Sequence, residues 1–571
     1  MNEAREDARR LVEEAVGEAV SLDDVNVSQM ADVSTTIAFK LAKKLHKNPA
    51  VIAQELAAAI KPRGFVKSVA AVDGYLNFSL DYGKFSRHVL ESIAVAEGAY
   101  GKPLVSPEEK IVLEHTSVNP SGPIHIGRLR NSILGDSLRR ILSFVGYDVE
   151  THYFVNDIGK QMAIIALGFQ ERVKPDDGVM ERYGKFKDKG DFQVFFEYVA
   201  ANRLFESDSA FQERVQSAIR KAESGDKESL NSITAVARRC LEGQKKLFDL
   251  LDIKFDIFDF ESTFIENKKA FEVVSRLEKE KQWKRTEIGS GLDLSQYGLE
   301  KGGGITVLKR LDETTVYLAR DLAYHLEKQE HGDRLINVLG EDHKLQAREL
   351  ATILKEFLGF KKQLDVVHYS FVSFEGSRLS TRKGEIASVD ELVEEALEKA
   401  KAEVDKRGIA GRETIAMIGI GAVKYHIIKT APSKAITFRW EDALSFEGDA
   451  APYIQYVHAR SCRILEKAGI DITKIEFEAI DVSPEEIEKQ LVKELSLFPD
   501  AVESAVRELK PHLIANYLFT LASTYNKFYF QCPVLAAEEK VRERRLLIVY
   551  AVQQVVRTGL YLLGIEAPER M

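Results

Sequence analysis

The feature that most limits what this chain can fold into is the turn "NPSGPIHIGRLRN", Asn119 to Asn131, set between the apolar "KIVLEHTS" and "SILGDSLRRILSFVG". Its prolines and glycines stop a strand, and apolar residues at helical spacing then begin a helix. The same alternation runs through "DVETHYFVND" and "IGKQMAIIALGF", and resumes in "GITVLKR", "TTVYLARDLAYHLEKQ", "RLINVLGEDH" and "LDVVHYSFVSF". Strands alternating with helices imply an α/β fold with a parallel sheet. In such folds a glycine-rich turn from strand into helix is where nucleotides bind, because backbone and phosphate approach closely and the helix start carries partial positive charge. Neither GxGxxG nor GxxxxGK[ST] occurs in the turn, so neither the dinucleotide fingerprint nor a P-loop accounts for it. What remains is His125, two residues before Gly127 at the helix start. An imidazole there can donate a hydrogen bond to a phosphoryl oxygen as charge builds during displacement at phosphorus.

The α/β pattern occupies only part of the 571 residues, which are too many for one core. Residues 1–105 read as a separate α+β domain: helical periodicity in "MADVSTTIAFKLAKKLHKNPAVIAQELAAAI", then alternating strands in "VKSVAAVDGYLNFSLD", and a linker near Gly101 to Pro107. The α/β domain spans 106–410. It is interrupted at about 169–300 by charge-dense stretches with helical spacing, read as a helical insertion. From 411 to 571 the chain reads as all helical. No apolar run is long enough to span a membrane and the amino terminus lacks a signal-peptide core, so the expected place of work is the cytoplasm. Cys240, Cys462 and Cys532 lie too far apart for a zinc spacing, and no structural zinc is expected. A net charge of −9 neither suggests nor excludes a nucleic-acid partner, since specific binding needs only a local basic surface.

Other segments supply chemistry that the turn lacks. "FEGSRLSTRKGE" places Arg378, Arg382 and Lys383 beside Ser380 and glycines, a setting suited to pyrophosphate. In "VLGEDH" a buried strand ends at Gly340 and Asp342, where backbone approach and a ribose contact are common. Tyr317 and Asp321 stand four apart on one helical face, the spacing for an aromatic wall beside a carboxylate.

Together these segments resemble the class I aminoacyl-tRNA synthetases, whose His-Ile-Gly-His opens the first helix and whose Lys-Met-Ser-Lys-Ser sits in a late loop. More specifically, "EHTSVNPSGPIHIGRLRNSILGD", "HYFVNDIGKQ", "VYLARDLAYHLEK", "VLGEDHKLQ", "RLSTRKGE", "PYIQYVHAR", "YNKFYFQCPVL" and "YLLGIEAPERM" are similar to the arginyl-tRNA synthetase family over almost the whole chain. The resemblance implies a Rossmann-like catalytic domain, an amino-terminal tRNA-binding domain around "GYLNFSL" and a carboxy-terminal anticodon-binding domain. It implies ATP with Mg2+, L-arginine and the tRNA for arginine as the molecules handled, with the chain expected to act as a monomer. It places ATP against Asn119, Pro120, Gly122, His125, Ile126, Gly127, Arg128, Gly340, Asp342, Arg378 and Ser380, with His125, Arg128, Arg382 and Lys383 acting in catalysis. It puts arginine among Asn119, Asn156, Tyr317, Asp321 and Gln346, with Asp321 on the guanidinium, which a carboxylate holds best through paired N–H bonds.

The signatures also depart from the family pattern. Arg128 stands in place of the second histidine, Arg378 in place of the first late lysine and Thr381 in place of the second, while Gly122 occupies a position where some relatives carry a compensating lysine. Charge for pyrophosphate is therefore expected from Arg382 and Lys383. For RNA, "QYVHARSCRIL" and "TYNKFYFQCP" offer Tyr456, Arg460, Arg463, Tyr525, Asn526, Lys527 and Tyr529, aromatic faces for unpaired bases and cations for phosphates. A working ligase and a binding protein that keeps the fold without activation both remain open from the sequence.

Overall fold

The computed structural model of the protein describes every residue except 29, 300–303, 375–386, 409–410, 470–476 and 478–483. Its centre is a five-stranded sheet, all parallel, in the spatial order Gln363–Tyr369, Arg334–Gly340, Lys110–Glu114, Asp148–Val155, Ile257–Phe260. The first two strands in chain order are neighbours and the fourth pairs on the other side of the first, so the order reverses beside Lys110–Glu114. Open parallel sheets bind ligands at such a reversal, outside the carboxyl ends of the strands. The turn at Asn119 leaves that first strand and Gly340 ends its neighbour, which puts both signatures at the switch point.

The helix Ile126–Phe144 follows the turn and is buried along most of its length, including Ile133, Leu134, Leu138 and Ile141. It lies close to the sheet because Gly135 has no side chain: a Cβ there would come within 2.1 Å of the buried His115 ring. The close fit keeps the helix start level with the strand ends.

Two parts of the chain differ from the sequence reading. The segment read as a helical insertion is helical through Asp177–Tyr183, Gly190–Ser207, Ser209–Glu223 and Lys227–Leu250, but Ile257–Phe260 within it is the edge strand of the parallel sheet. Trp283–Thr286 and Gly289–Asp293 then pair antiparallel with Ile305–Arg310 in a separate three-stranded sheet, so "GITVLKR" does not return to the parallel sheet. Short strands with only a few alternating residues carry little periodicity of their own, and the flanking helical charge pattern masks them.

The amino-terminal unit differs in a similar way. Met30 to Thr35 was expected to be helical, yet Val33–Thr35 is a strand between Val25–Val27 and Tyr75–Leu80 in a four-stranded antiparallel sheet. The helix begins only at Ile37. Val25, Val33, Leu76 and Phe78 are buried in the core cluster that also holds Ala4, Ala8 and Ile52.

In the carboxy-terminal part, Ala451–Ala468, His512–Gln531 and Glu539–Leu562 pack as a helical bundle. The bundle is tied to the helix Ile126–Phe144 by Ser137 Oγ, which donates to the Leu562 carbonyl at 2.8 Å, and its carboxyl end to the helix Arg412–Ile428 by Lys424 Nζ, which donates to the Gly564 carbonyl at 2.7 Å. Among the described residues no helix is long and apolar enough to cross a membrane.

Candidate functional site

The chain reaches the turn through strained backbone. Thr116 (φ 75°) and Ser117 (φ 40°) occupy the left-handed region that branched residues avoid, at a cost of roughly 1–3 kcal/mol each. Asn131 holds the bend: its Oδ1 accepts from Thr116 N at 2.9 Å, while Nδ2 donates to the carbonyls of Thr116 at 3.3 Å and Val338 at 3.0 Å. One helix side chain thus staples the ends of both strands that flank the switch point. Behind the turn, the Gly122 carbonyl accepts from Gln244 Nε2 at 2.9 Å and from Cys240 Sγ at 3.3 Å. A Cβ on Gly122 would sit 3.1 Å from that of Phe195, so the interrupting helices form the rear wall of the turn.

His125 is the N-cap of the buried helix, and its Nδ1 accepts from Gly127 N at 2.9 Å. A ring nitrogen that accepts carries no proton, so the proton lies on Nε2. Burial, with the Arg128 cation adding to it, lowers the pKa of the imidazole below the ordinary histidine value. The side chain is therefore held as a neutral Nε2–H donor at the start of a helix. Arg128, one turn on, reaches across the switch point: its guanidinium is 3.6 Å from Asp342 Oδ2 and lies over the Phe371 ring at 5.4 Å. Asp342 is exposed and Gly340 is buried, where a Cβ would come within 2.3 Å of the movable Asp342 Oδ1.

Arg378, Ser380, Thr381, Arg382 and Lys383 lie outside the described residues. The chain on either side of them is well placed. Before them, Val372–Phe374 pairs in parallel with Ile436–Phe438. After them, the Ala387 carbonyl accepts from Ile126 N at 2.9 Å, Ser388 bridges to His125, and Val389 N donates to the Ile124 carbonyl at 2.9 Å. The buried Arg130, which the sequence reading passed over, anchors the incoming side: its guanidinium donates to the carbonyls of Ser370 at 2.7 Å, Lys434 at 2.6 Å, Ala431 at 2.8 Å and Thr430 at 3.1 Å. Burial lowers its pKa to about 10, the nearby Tyr369 and Glu341 opposing the shift only in part. Arg130→Met strips several buried carbonyls of their donor at once and is expected to cost about 3 kcal/mol or more. An unchanged midpoint in thermal unfolding followed by circular dichroism contradicts this role.

The proposed arginine residues gather at the carboxyl edge of the sheet. Asn119 and Asn156 meet, Asn156 Nδ2 donating to Asn119 Oδ1 at 3.4 Å, and Asn119 Nδ2 reaches Gln161 at 3.5 Å. Tyr317 and Asp321 open the helix Tyr317–Lys328 on one face, with the Tyr317 ring edge-on to Phe154 at 6.3 Å. Burial raises the pKa of the Tyr317 phenol well above its usual value, and the carboxylates of Asp321, Glu261 and Glu114 push the same way, so it remains an uncharged group in an acidic environment. Gln346 is half-buried, with its Oε1 3.3 Å from His343 Nδ1. Glu114, missed in the sequence, ends the first strand with only 6% of its surface exposed, paired with Lys328 at 2.6 Å. A carboxylate in a strand reads as a solvent-facing residue unless its register partner is known.

Among the described residues, Glu150, His152 and His331 have donor atoms close enough to hold a metal ion. These atoms are already engaged with one another: His152 Nε2 and His331 Nδ1 both lie 2.9 Å from Glu150 Oε1, and Lys110 holds Oε2 at 2.8 Å.

In the carboxy-terminal bundle, Arg460 is sandwiched between the rings of Tyr456 at 4.5 Å and Tyr529 at 4.2 Å, and it donates to Asn526 Oδ1 at 2.8 Å. They border a groove of about 760 Å³ that Arg463, Lys467 and Arg570 also line. Lys527 is exposed nearby in sequence. Tyr525 has no exposed surface and packs at 6.0 Å from Phe528 inside the bundle, so it is a core residue and not an RNA contact. Its helix buries Leu518, Leu521, Ala522, Tyr525 and Phe528 on one stripe, which the interleaved aromatics of the sequence concealed.

A parallel sheet in this order, with a histidine-capped helix at its switch point and a helical bundle beyond, is the architecture of the class I tRNA synthetases. Residues 89–440 match the family described as tRNA synthetases class I (R), catalytic domain, residues 3–80 the arginyl tRNA synthetase N terminal domain, and residues 454–571 the DALR anticodon binding domain. The chain is 40% identical to the arginine–tRNA ligase of Methanocaldococcus jannaschii, the alignment covering 97% of this chain and 96% of that protein. It is also 40% identical to that of Methanocella arvoryzae, over 99% of each. The arginyl-tRNA synthetase structure from Thermus thermophilus superposes with a TM-score of 0.81 at 29% identity, covering 99% of this chain and all of the other. The chain belongs to the arginyl-tRNA synthetase family.

Proposed function

We propose that the chain charges the tRNA for arginine in two steps, both at the switch point. It is an aminoacyl-tRNA ligase that uses ATP. ATP, entering with its magnesium ion as substrate, lies against Asn119 to Arg128 and the Gly340–Asp342 turn. Arginine lies against Tyr317 with its guanidinium on Asp321, Gln346 close by and its α-amino and carboxylate end toward Asn119 and Asn156. The arginine carboxylate attacks the α-phosphorus in line, the new O–P bond forming as the bond to pyrophosphate breaks. His125 Nε2–H donates to the phosphoryl oxygen as its charge grows, and pyrophosphate leaves toward Arg378, Arg382 and Lys383. The terminal adenosine of tRNA then attacks the arginyl-adenylate through a ribose hydroxyl, the 2′ hydroxyl by family likeness, and AMP departs. Catalysis rests on positioning and charge stabilisation, with no covalent enzyme intermediate. The observation that carries this reading is the acidic face of Tyr317 and Asp321 at the same sheet edge as a neutral Nε2–H donor.

Lysine would leave much of that carboxylate-lined face unpaired, so no separate editing domain is invoked. Charging arginine tRNA with labelled arginine and labelled lysine in parallel tests the reading: arginyl-tRNA is expected, with lysine lower by about 10⁴-fold. Equal charging with both overturns it. We further take the chain to work as a monomer in the cytoplasm.

The Tyr456, Arg460 and Tyr529 groove supports anticodon binding, with Asn526 and Lys527 beside it. Tyr456→Ala is expected to raise the KM for tRNA about tenfold with arginine activation unchanged, since one stacked base is worth roughly 1–3 kcal/mol. An unchanged tRNA KM would remove this groove from the RNA path.

A further inference from the structure

Asp321 does not stand alone. His325, one turn along the same helix, places Nδ1 at 2.9 Å from the Asp321 carbonyl and 3.0 Å from its Oδ1. The other ring nitrogen, Nε2, is 2.8 Å from Asn337 Nδ2, and Asn337 Oδ1 accepts from Lys328 Nζ at 2.8 Å. Lys328 also donates to Glu114 Oε2 at 2.6 Å. The sheet register explains the assembly: Asn337 and Glu114 are direct partners across the parallel pair, and Lys328 from the helix above bridges them.

The direction of every bond in this chain is fixed by chemistry. Lysine has only donors, so the amide of Asn337 must turn its oxygen to Lys328 and its NH2 to His325. Nε2 of His325 must then accept, which leaves the ring proton on Nδ1, facing the oxygens of Asp321. Lys328 and His325 are each 1% exposed and Asn337 2%, so water does not stand in for a missing partner.

We infer that Lys328, Asn337 and His325 are positioning residues that hold Asp321 in one orientation for the guanidinium. This rests on the placement of arginine against Asp321 given above. The polarity of the chain makes the inference testable, because changing one link changes the next. Asn337→Asp keeps an acceptor for Lys328 but offers none of the NH2 donors, so the His325 ring takes a proton on both nitrogens and becomes a cation between two carboxylates, which competes with the guanidinium for Asp321. His325→Asn, by contrast, retains a donor for Asp321 in place of Nδ1 whatever stands at 337.

The test is steady-state ATP–pyrophosphate exchange with tRNA present, reading the KM values for arginine and ATP and kcat separately. Asn337→Asp is expected to raise the arginine KM about tenfold while kcat and the ATP KM stay within about threefold of the parent, the split expected when binding of one substrate is lost. Adding His325→Asn to that variant is expected to return the arginine KM to within about threefold. His325→Leu and His325→Asn alone give a second comparison, the first raising the arginine KM about tenfold and the second leaving it near the parent. Equal penalties for those two, absence of rescue in the double variant, or parallel loss of kcat and both KM values would show a packing role and overturn the inference. Asp321→Asn separates the two levels. A raised arginine KM there with an unchanged one in Asn337→Asp overturns the positioning chain alone, whereas an unchanged one in Asp321→Asn overturns the arginine placement and the chain with it.

Discussion

Asp321→Asn is expected to lower kcat/KM for arginine by about 100-fold or more, almost all of it through KM. Among the described residues Asp321 is paired with the His325 ring and with no lysine or arginine, whereas Glu114 is paired with Lys328 and Glu261 with Arg320. Removing one partner of a desolvated, hydrogen-bonded charge pair costs about 2–5 kcal/mol, much of it the penalty of leaving the other charge unpaired. The asparagine keeps the size of the side chain and one acceptor oxygen, so ATP use and thermal stability are expected to stay near the parent. Initial rates of exchange over a range of arginine concentrations measure the effect, and parent-like saturation would remove Asp321 from the pocket.

His125→Ala should act differently, lowering the maximal rate of adenylate formation about 100-fold or more with a small change in ATP affinity. Its Nε2–H is held by the helix-cap bond of Nδ1 to Gly127 N, so it is aimed before the charge it serves has developed. The sign of the pKa shift adds a pH expectation. Since burial lowers the histidine pKa, protonation of Nδ1, which would break its bond from Gly127 N and the aim of Nε2–H with it, is expected below the ordinary histidine value near 6.5, and any acid limb from His125 lies on that side. The alanine variant also loses a helix cap worth about 1 kcal/mol, which a small shift in unfolding would report separately from the rate. Single-turnover measurement of adenylate formation at saturating ATP checks the claim, and a parent-like rate would make His125 a cap and nothing more.

Much of this site was legible in the sequence for local reasons. Prolines and glycines at 120, 122, 123 and 127 ended a strand and began a helix, and the residues at 317 and 321 faced one way because a helix repeats at that spacing. What escaped depended on contacts distant in sequence. Arg130 looks like one more surface cation in "GRLRNS", yet its partners lie 240 to 304 residues away and its burial follows from the path of the chain around Ser370 and Lys434. Glu114 and Asn337 become neighbours only through the register of two parallel strands, and without that register the link from Lys328 to His325 cannot be drawn. Tyr525 and Tyr529 stand four apart on one helix, yet one is fully buried and the other exposed near its end, because the bundle covers the first and stops short of the second.

The departures from the family signatures take a physical form here. Arg128 does not point an imidazole at ATP as the usual histidine would; its guanidinium is drawn to Asp342 across the switch point. It therefore links the turn before the helix to the Gly340–Asp342 turn, and the His125 Nε2–H is left as the described donor on the first of them. The flanks of the segment carrying Arg378, Arg382 and Lys383 rest against the same turn through Ala387, Ser388 and Val389.

The most direct test of the central claim, that this site activates arginine for transfer to tRNA, is ATP–pyrophosphate exchange measured with arginine in the presence and absence of arginine tRNA. The account predicts label entering ATP only when arginine is supplied, with family likeness placing its onset at the addition of tRNA. No exchange with arginine, ATP, magnesium and tRNA all present would contradict it and leave a binding protein that keeps the synthetase fold.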